Sequence, residues 1–223
     1  MLVHRNRTEV GRQLADRLRA MALPRPVVLA LPRGGVPIGV EIARALGAPI
    51  DLLLVRKIGA PDQPELAVGA VVEGEPPALV VNRDVQSACG MSDAQLQAAE
   101  RRELAEIARR RAVYLGGRAP LPLAGTTAIV VDDGIATGAS VRAALRALRR
   151  RGPSRVVLAT GVAAADTLDQ LRGELDDVVC LATPAPLHAI GLHYEDFTQL
   201  DDAQVVSLLR SADTKPTGTG VMP

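Results

Sequence analysis

The chain has 223 residues, 48% of them hydrophobic, enough to bury one sizeable α/β core and, by length, to make one or two domains. Lys plus Arg number 26 against 25 Asp plus Glu, so no broad field draws the whole chain to nucleic acid or an anionic membrane, and any anion site has to be local. Two cysteines, Cys89 and Cys180, are too few for a disulfide framework; with no apolar signal core at the start and no run near the ~20 apolar residues of a membrane helix, a cytoplasmic protein is expected.

Thr8 to Met21 carries Val10, Leu14, Leu18 and Met21 at helical spacing and reads as an amphipathic helix ended by Pro24 and Pro26. Val27 to Leu31 is a short continuous apolar run, the pattern of a strand buried on both faces. After the turn Pro32-Arg33-Gly34-Gly35 a helix over Val36 to Leu46 is predicted, closed by Gly47, then a second buried strand over Ile50 to Val55. Leu66 to Val72 and Ala78 to Val81 read as further strands, approached by the Pro- and Gly-rich stretch 59–64. Ser92 is a good N-cap for a long helix to about Tyr114, whose charges from Glu100 to Arg111 read as a solvated face. Thr127 to Val131 is a third buried strand stopping at Asp132-Asp133, followed by a helix over Ala139 to Arg150, a strand over Val156 to Thr160, a short helix over Asp166 to Leu171 and a strand over Val178 to Leu181. A terminal helix spans Asp201 to Leu209, and the polar, Gly- and Pro-rich residues 211–223 read as a disordered tail. Alternating strands and helices argue an α/β fold with a mostly parallel, doubly wound sheet whose ligands bind beyond the carboxyl ends of the strands. One domain over 1–210 is expected, with 83–118 as a helical insertion and 1–25 and 185–210 as candidate hood elements.

The chemistry is concentrated in Val130-Val131-Asp132-Asp133-Gly134-Ile135-Ala136-Thr137-Gly138-Ala139-Ser140. Two carboxylates at the end of a central strand can accept hydrogen bonds from vicinal ribose hydroxyls. The turn from Ile135 to Ser140 offers successive N–H groups at a helix N-terminus, with the Thr137 and Ser140 hydroxyls, which is a phosphate cradle. Neither a Walker A loop nor a GxGxxG turn is present there, so ATP hydrolysis and NAD chemistry are not expected. Read alone, Asp-Asp-Gly is also a common helix cap and turn. The full string resembles the 5-phosphoribosyl 1-pyrophosphate (PRPP) motif of type I phosphoribosyltransferases. The resemblance gives Asp132 and Asp133 the ribose hydroxyls and Ile135, Ala136, Thr137, Gly138, Ala139 and Ser140 the 5-phosphate, with Gly134 also among the PRPP-binding residues.

Arg33, Gly34 and Gly35 resemble the family's pyrophosphate loop, where bare glycine backbone and a basic residue meet the diphosphate; an ordinary strand-to-helix turn is the alternative. Lys57 ends the second strand on the same edge; lysine occurs only at 57 and 215, so its use where arginine is the default hints at a point-charge phosphate contact, against a snorkelling surface lysine. Pro64 to Ala70 falls where the family carries its flexible catalytic loop. Together these strings, from Arg5 to Val206, resemble a bacterial branch described only as phosphoribosyltransferase, a label that supplies no acceptor.

The implied reaction displaces pyrophosphate from the anomeric carbon by a nitrogen of a base-like acceptor, with magnesium carried on PRPP and no metal bound directly by protein side chains. Hypoxanthine-guanine enzymes of the family carry a catalytic Asp at the position that is Ala136 here, so proton transfer is expected from elsewhere, with Glu65 or Glu73 as candidates, while Asp132 and Asp133 are expected beneath the developing positive charge, stabilising it. The chain has three aromatic residues, Tyr114, Tyr194 and Phe197; Tyr194 and Phe197 are the pair for base stacking, or else they pack the terminal helix. His193 reads as a surface residue. The partners expected are PRPP and its acceptor, with a homodimer as the assembly to test and neither nucleic acid nor membrane. A non-catalytic PRPP-binding module, a PRPP synthetase-like enzyme and an interaction protein using the Arg-rich helix 101–111 are the alternatives.

Overall fold

The computed structural model describes residues 4–74 and 76–213; the side chains of Glu65 and Asp213 lie outside that description, as does the expected tail from residue 214 onward. Helix α1 (Arg7–Ala20) opens on Asn6, whose side chain accepts from the Glu9 N–H at 2.9 Å. Strand β1 (Pro26–Ala30) turns into α2 (Gly35–Leu46), which stops at Gly47 in the left-handed region, φ 61°. Then come β2 (Ile50–Leu52), β3 (Val55–Ala60), β4 (Gln63–Val72), β5 (Ala78–Val81), α3 (Arg83–Ala88) and α4 (Asp93–Leu115). The remainder is β6 (Thr127–Ile135), α5 (Ala139–Arg149), β7 (Arg155–Ala163), α6 (Ala165–Leu171), β8 (Asp177–Ala182) and α7 (Asp202–Asp213).

Five strands pair in parallel in the order β2-β1-β6-β7-β8, and β3, β4 and β5 form a separate antiparallel sheet. Side chains alternate across a strand, so Ala128 and Val130 of β6 face α5 and α6 through Val141, Leu145, Leu148 and Leu168. Ile129 and Val131 face the other layer, with Leu14 and Leu18 of α1, Ile38 and Ile42 of α2, and Val205 and Leu209 of α7. Both faces being covered is why these strands read as unbroken apolar runs.

Four expectations about the elements are corrected. The run Ile50 to Val55 is not one strand: β2 ends at Leu52, and the chain crosses at Leu53 and Leu54 into the antiparallel sheet. Leu66 to Val72 lies in a strand as expected, but β4 begins earlier, at Gln63, so Pro64 to Ala70, likened to the family's flexible loop, is paired strand with Lys57 opposite Ala70 and Val80 on the far side. β6 does not stop at Asp132 but continues to Ile135, because β7 is long enough to pair with it through Ala163. The last helix runs to Asp213, so the expected tail does not begin at 211.

The long helix has the expected cap: Ser92 Oγ accepts from the Gln95 N–H while Gln95 Oε1 accepts from the Ser92 N–H, a reciprocal box. Its charged face is only in part solvated. Glu106 pairs with Arg109 and Arg110 at the surface, but Arg111 is 7% exposed and forks between Asp51 of β2, at 3.1 Å, and Glu73, at 2.8 Å. Burial, with the Asp51 charge beside it, pushes the Glu73 carboxyl from its ordinary 4.5 up to about 7 against the pull of Arg111. A carboxyl with a raised folded pKa binds protons more tightly in the native state. Its contribution is therefore full below about 4.5 and is lost as pH rises through about 7. Glu73→Gln removes that loss while Asp51 still neutralises Arg111. The variant is expected to melt about 5 °C above wild type at pH 8 and level with it at pH 4.5, measured by calorimetry.

Candidate functional site

The carboxyl ends of β1 and β6 lie side by side, since Leu29 pairs with Val130 and Ala30 with Val131, and the Leu31 N–H donates to Val131 O at 2.9 Å. Adjacency brings the turn Arg33-Gly34-Gly35 against the acids. A Cβ on Gly34 would overlap the Asp133 carboxylate, and one on Gly35 would overlap the Val131 carbonyl, so glycine is required for this approach. Arg33 is exposed, and α2 begins directly after it at Gly35, with its N-terminal dipole towards the same edge.

Asp132 is partly exposed and Asp133 is 9% exposed. Burial, reinforced by the neighbouring Asp133 charge, holds the Asp132 carboxyl well above the usual carboxylate range. Arg7, from α1, donates from Nε to Asp133 Oδ2 at 2.7 Å. Tyr194 donates its hydroxyl to the Asp133 carbonyl at 2.6 Å, and Gly134 lies directly under Ile190.

Past Ile135 the chain turns outward. Ala136 and Thr137 are exposed, and Thr167 Oγ1 fixes the turn by donating to Ala136 O at 2.6 Å. Gly138 caps α5 in the left-handed region, φ 68°. No side chain caps this helix, so its first-turn N–H groups at Ala139 and Ser140 are left for an anion. Ser140 opens on a cavity of about 490 Å³ between the antiparallel sheet and α5, where it meets Lys57, Arg83, Asp84, Arg142 and Arg146. Lys57 thus lines the same cavity as Ser140 from the antiparallel sheet, not from the end of a parallel strand.

Other predicted residues have different positions. Tyr194 is 5% exposed, its ring 5.0 Å from that of Phe197, and the Arg7 guanidinium lies 3.9 Å from the Phe197 centroid. The pair is therefore engaged in holding the 190–198 segment to α1 rather than standing free as a stacking platform. His193, expected at the surface, is 4% exposed, because the 3₁₀ turn Ile190–His193 folds inward and its carbonyl accepts from the His4 N–H at 2.8 Å. Tyr114 is also buried, donating to Asp202 at 2.6 Å. Glu73 is drawn into the Asp51–Arg111 cluster and lines a separate cavity of about 420 Å³ with Arg111 and Arg118, which removes it from the acids of β6. The Glu65 side chain lies outside the described residues. Sequence reasoning missed Arg7; a cation in the first turn of a helix opposes the dipole there, which was the available signal.

The profile of the phosphoribosyl transferase domain family matches residues 3–195. Two Mycobacterium tuberculosis relatives, from strains CDC 1551 / Oshkosh and ATCC 25618 / H37Rv and each named a putative phosphoribosyl transferase, are 46% identical over 207 residues, 93% of this chain. The chain spans about half the length, 46%, of these curated relatives. Among solved structures, TT1426 from Thermus thermophilus is 38% identical and superposes with a TM-score of 0.81 over 94% of this chain and 99% of that one.

Proposed function

The chain belongs to the phosphoribosyl transferase domain family, and from that premise we propose that it transfers the 5-phosphoribosyl group of PRPP to a nitrogen of a base-like acceptor, releasing pyrophosphate. The observation that carries the reading is the continuity of β6: two acids, then an uncapped helix N-terminus, with the glycine turn of β1 packed against the second acid. Those three features match the ribose hydroxyls, the 5-phosphate and the diphosphate of one ligand.

In this reading Asp132 and Asp133 accept from the ribose hydroxyls, the N–H groups and hydroxyls from Ala136 to Ser140 hold the 5-phosphate, and Arg33, Gly34, Gly35 and Lys57 receive the diphosphate. As the bond to the leaving diphosphate lengthens, positive charge develops at the anomeric carbon above the acids, which stabilise it. Among the described residues no three His, Cys, Asp or Glu side chains group to hold a metal ion, and Asp133 is already paired with Arg7. In this reading magnesium would be carried in on the diphosphate, where it would neutralise the leaving group. Glu65, on β4, is the remaining candidate for taking the acceptor's proton. Among the described residues no helix is long and apolar enough to cross a membrane; the cytoplasm is the proposed location.

One observation favours a second reading, a PRPP-binding module without transfer: Tyr114 and Tyr194 are buried and Arg7 lies over Phe197, so these rings are engaged within the protein. The two readings separate when the protein is incubated with PRPP, magnesium and a panel of nitrogen acceptors and pyrophosphate is assayed. Acceptor-dependent release is expected; PRPP binding with no release on any acceptor would overturn transfer and leave the module.

A further inference from the structure

The two acids that end β6 are not held alike. Arg7 Nε donates to Asp133 Oδ2 at 2.7 Å, with the two side chains 10% and 13% exposed. Arg7 is itself fixed on two further sides: Nη1 donates to the Thr198 carbonyl at 3.0 Å, and its guanidinium plane lies over Phe197 at 3.9 Å. The Gly34 backbone also packs against the Asp133 carboxylate, most closely at Oδ2, and the Tyr194 hydroxyl holds the Asp133 carbonyl. Asp133 therefore has one orientation. Asp132 has no ion pair among the described residues; its Oδ1 accepts from the neighbouring Asp133 N–H at 2.9 Å, and its carboxyl interacts with that of Asp133.

Two adjacent carboxylates without a counter-ion repel each other and repel a ligand made largely of phosphate. A guanidinium engaging one of them removes a unit of that charge without filling the space above the pair. Its planar fork also serves three partners at once, which a lysine ammonium would not. The helix gains nothing electrostatically from a cation at its first residue. The placement of Arg7 is thus explained by Asp133 and not by α1.

We propose that Arg7 is a positioning residue of the ribose site: by gripping Oδ2 it holds Asp133 as an oriented anion whose Oδ1 accepts one ribose hydroxyl, while Asp132 accepts the other. The N-terminal helix and the segment 194–198 then belong to the ligand site through Asp133, although neither touches the ligand. The inference rests on the phosphoribosyl reading above.

Ligands that differ in the ribose test it. Wild type, Arg7→Lys and Arg7→Met are titrated calorimetrically with PRPP plus magnesium, with ribose 5-phosphate and with inorganic pyrophosphate. Arg7→Met is expected to bind the two ribose-bearing ligands about tenfold or more weakly and pyrophosphate within about twofold of wild type, with Arg7→Lys between. Equal affinities in wild type and the folded variants overturn the inference, as does an equal loss for pyrophosphate, which would mark a merely structural role. If Arg7→Met does not fold, Arg7→Lys carries the same comparison, since it keeps the charge and loses the fork. Wild type that binds none of the ribose-bearing ligands overturns the phosphoribosyl reading and this inference with it; wild type that binds them while the variants are unchanged overturns this inference alone.

Discussion

Asp132→Asn is expected to bind PRPP about 10- to 100-fold more weakly than wild type, measured by titration calorimetry, with the melting temperature of the unliganded protein not lowered. The size follows from replacing a carboxylate acceptor by a neutral amide against a hydroxyl donor. Folding is not weakened because Asp132 makes no ion pair among the described residues and its carboxyl, raised above the ordinary range, gains nothing from being ionised in the folded protein. Asp133→Asn is a poorer test of the same site. It would leave the Arg7 charge buried without its anion, so loss of binding and loss of stability would arrive together.

The same substitution carries a pH signature. The Asp132 carboxyl is held well above its ordinary range in the free protein, by burial and by the Asp133 charge. A ligand that hydrogen-bonds to the ionised form must first displace that proton. Wild-type affinity for PRPP therefore rises with pH until Asp132 is ionised in the free protein, whereas Asp132→Asn has no such proton to lose and shows a flatter profile. A wild-type affinity that falls over that interval would contradict the assignment of Asp132 as a ribose acceptor.

Much of this site was legible because its residue types have few other uses in that order. A strand buried on both faces announces itself as Ala128 to Val131, and the residues that follow it, up to Ser140, combine two acids with a turn too small-sided for packing. The pairing of β1 with β6 then brings Gly34 to Asp133 without any further instruction. The crossing at Leu53 and Leu54 was not legible. Leu52, Leu53 and Leu54 are all fully buried, so an apolar run looks the same whether it stays in one sheet or passes to a second. Nor was Arg7, whose partner is 126 residues away and which stands among the other arginines of α1 without a local mark beyond its position in the first turn. Tyr194 and Phe197 were recognised as a pair, but aromatic proximity in sequence does not say which side of the ring will be taken, and here Arg7 takes it.

Asp51 shows how a single polar residue in an apolar strand can forecast an interaction without naming its partner. A carboxylate at 1% exposure requires a cation, and of 26 Lys plus Arg the fold supplies Arg111 from α4. Arg111→Ala is expected to destabilise the protein by about 3 kcal/mol, lowering the melting temperature by about 10 °C at pH 8, because it removes the cation hydrogen-bonded to both Asp51 and Glu73 and leaves only the more distant charge of Arg151 beside them. It also removes the donor to the Arg118 carbonyl, at 2.6 Å, which ties the end of α4 to the chain leading into β6. Glu73→Gln in the Arg111→Ala background should recover part of the loss, since one of the two stranded charges is gone. Lowering the pH should do the same, as Glu73 takes up its proton, and at a higher pH than in wild type because the Arg111 charge that holds the proton off is gone. If Arg111→Ala melts within about 2 °C of wild type, the cluster is solvated and the buried ion triad is wrong. If it melts low while Glu73→Gln and acid both fail to restore it, the loss lies in the packing of α4 on the antiparallel sheet, and the charge of Glu73 contributes nothing.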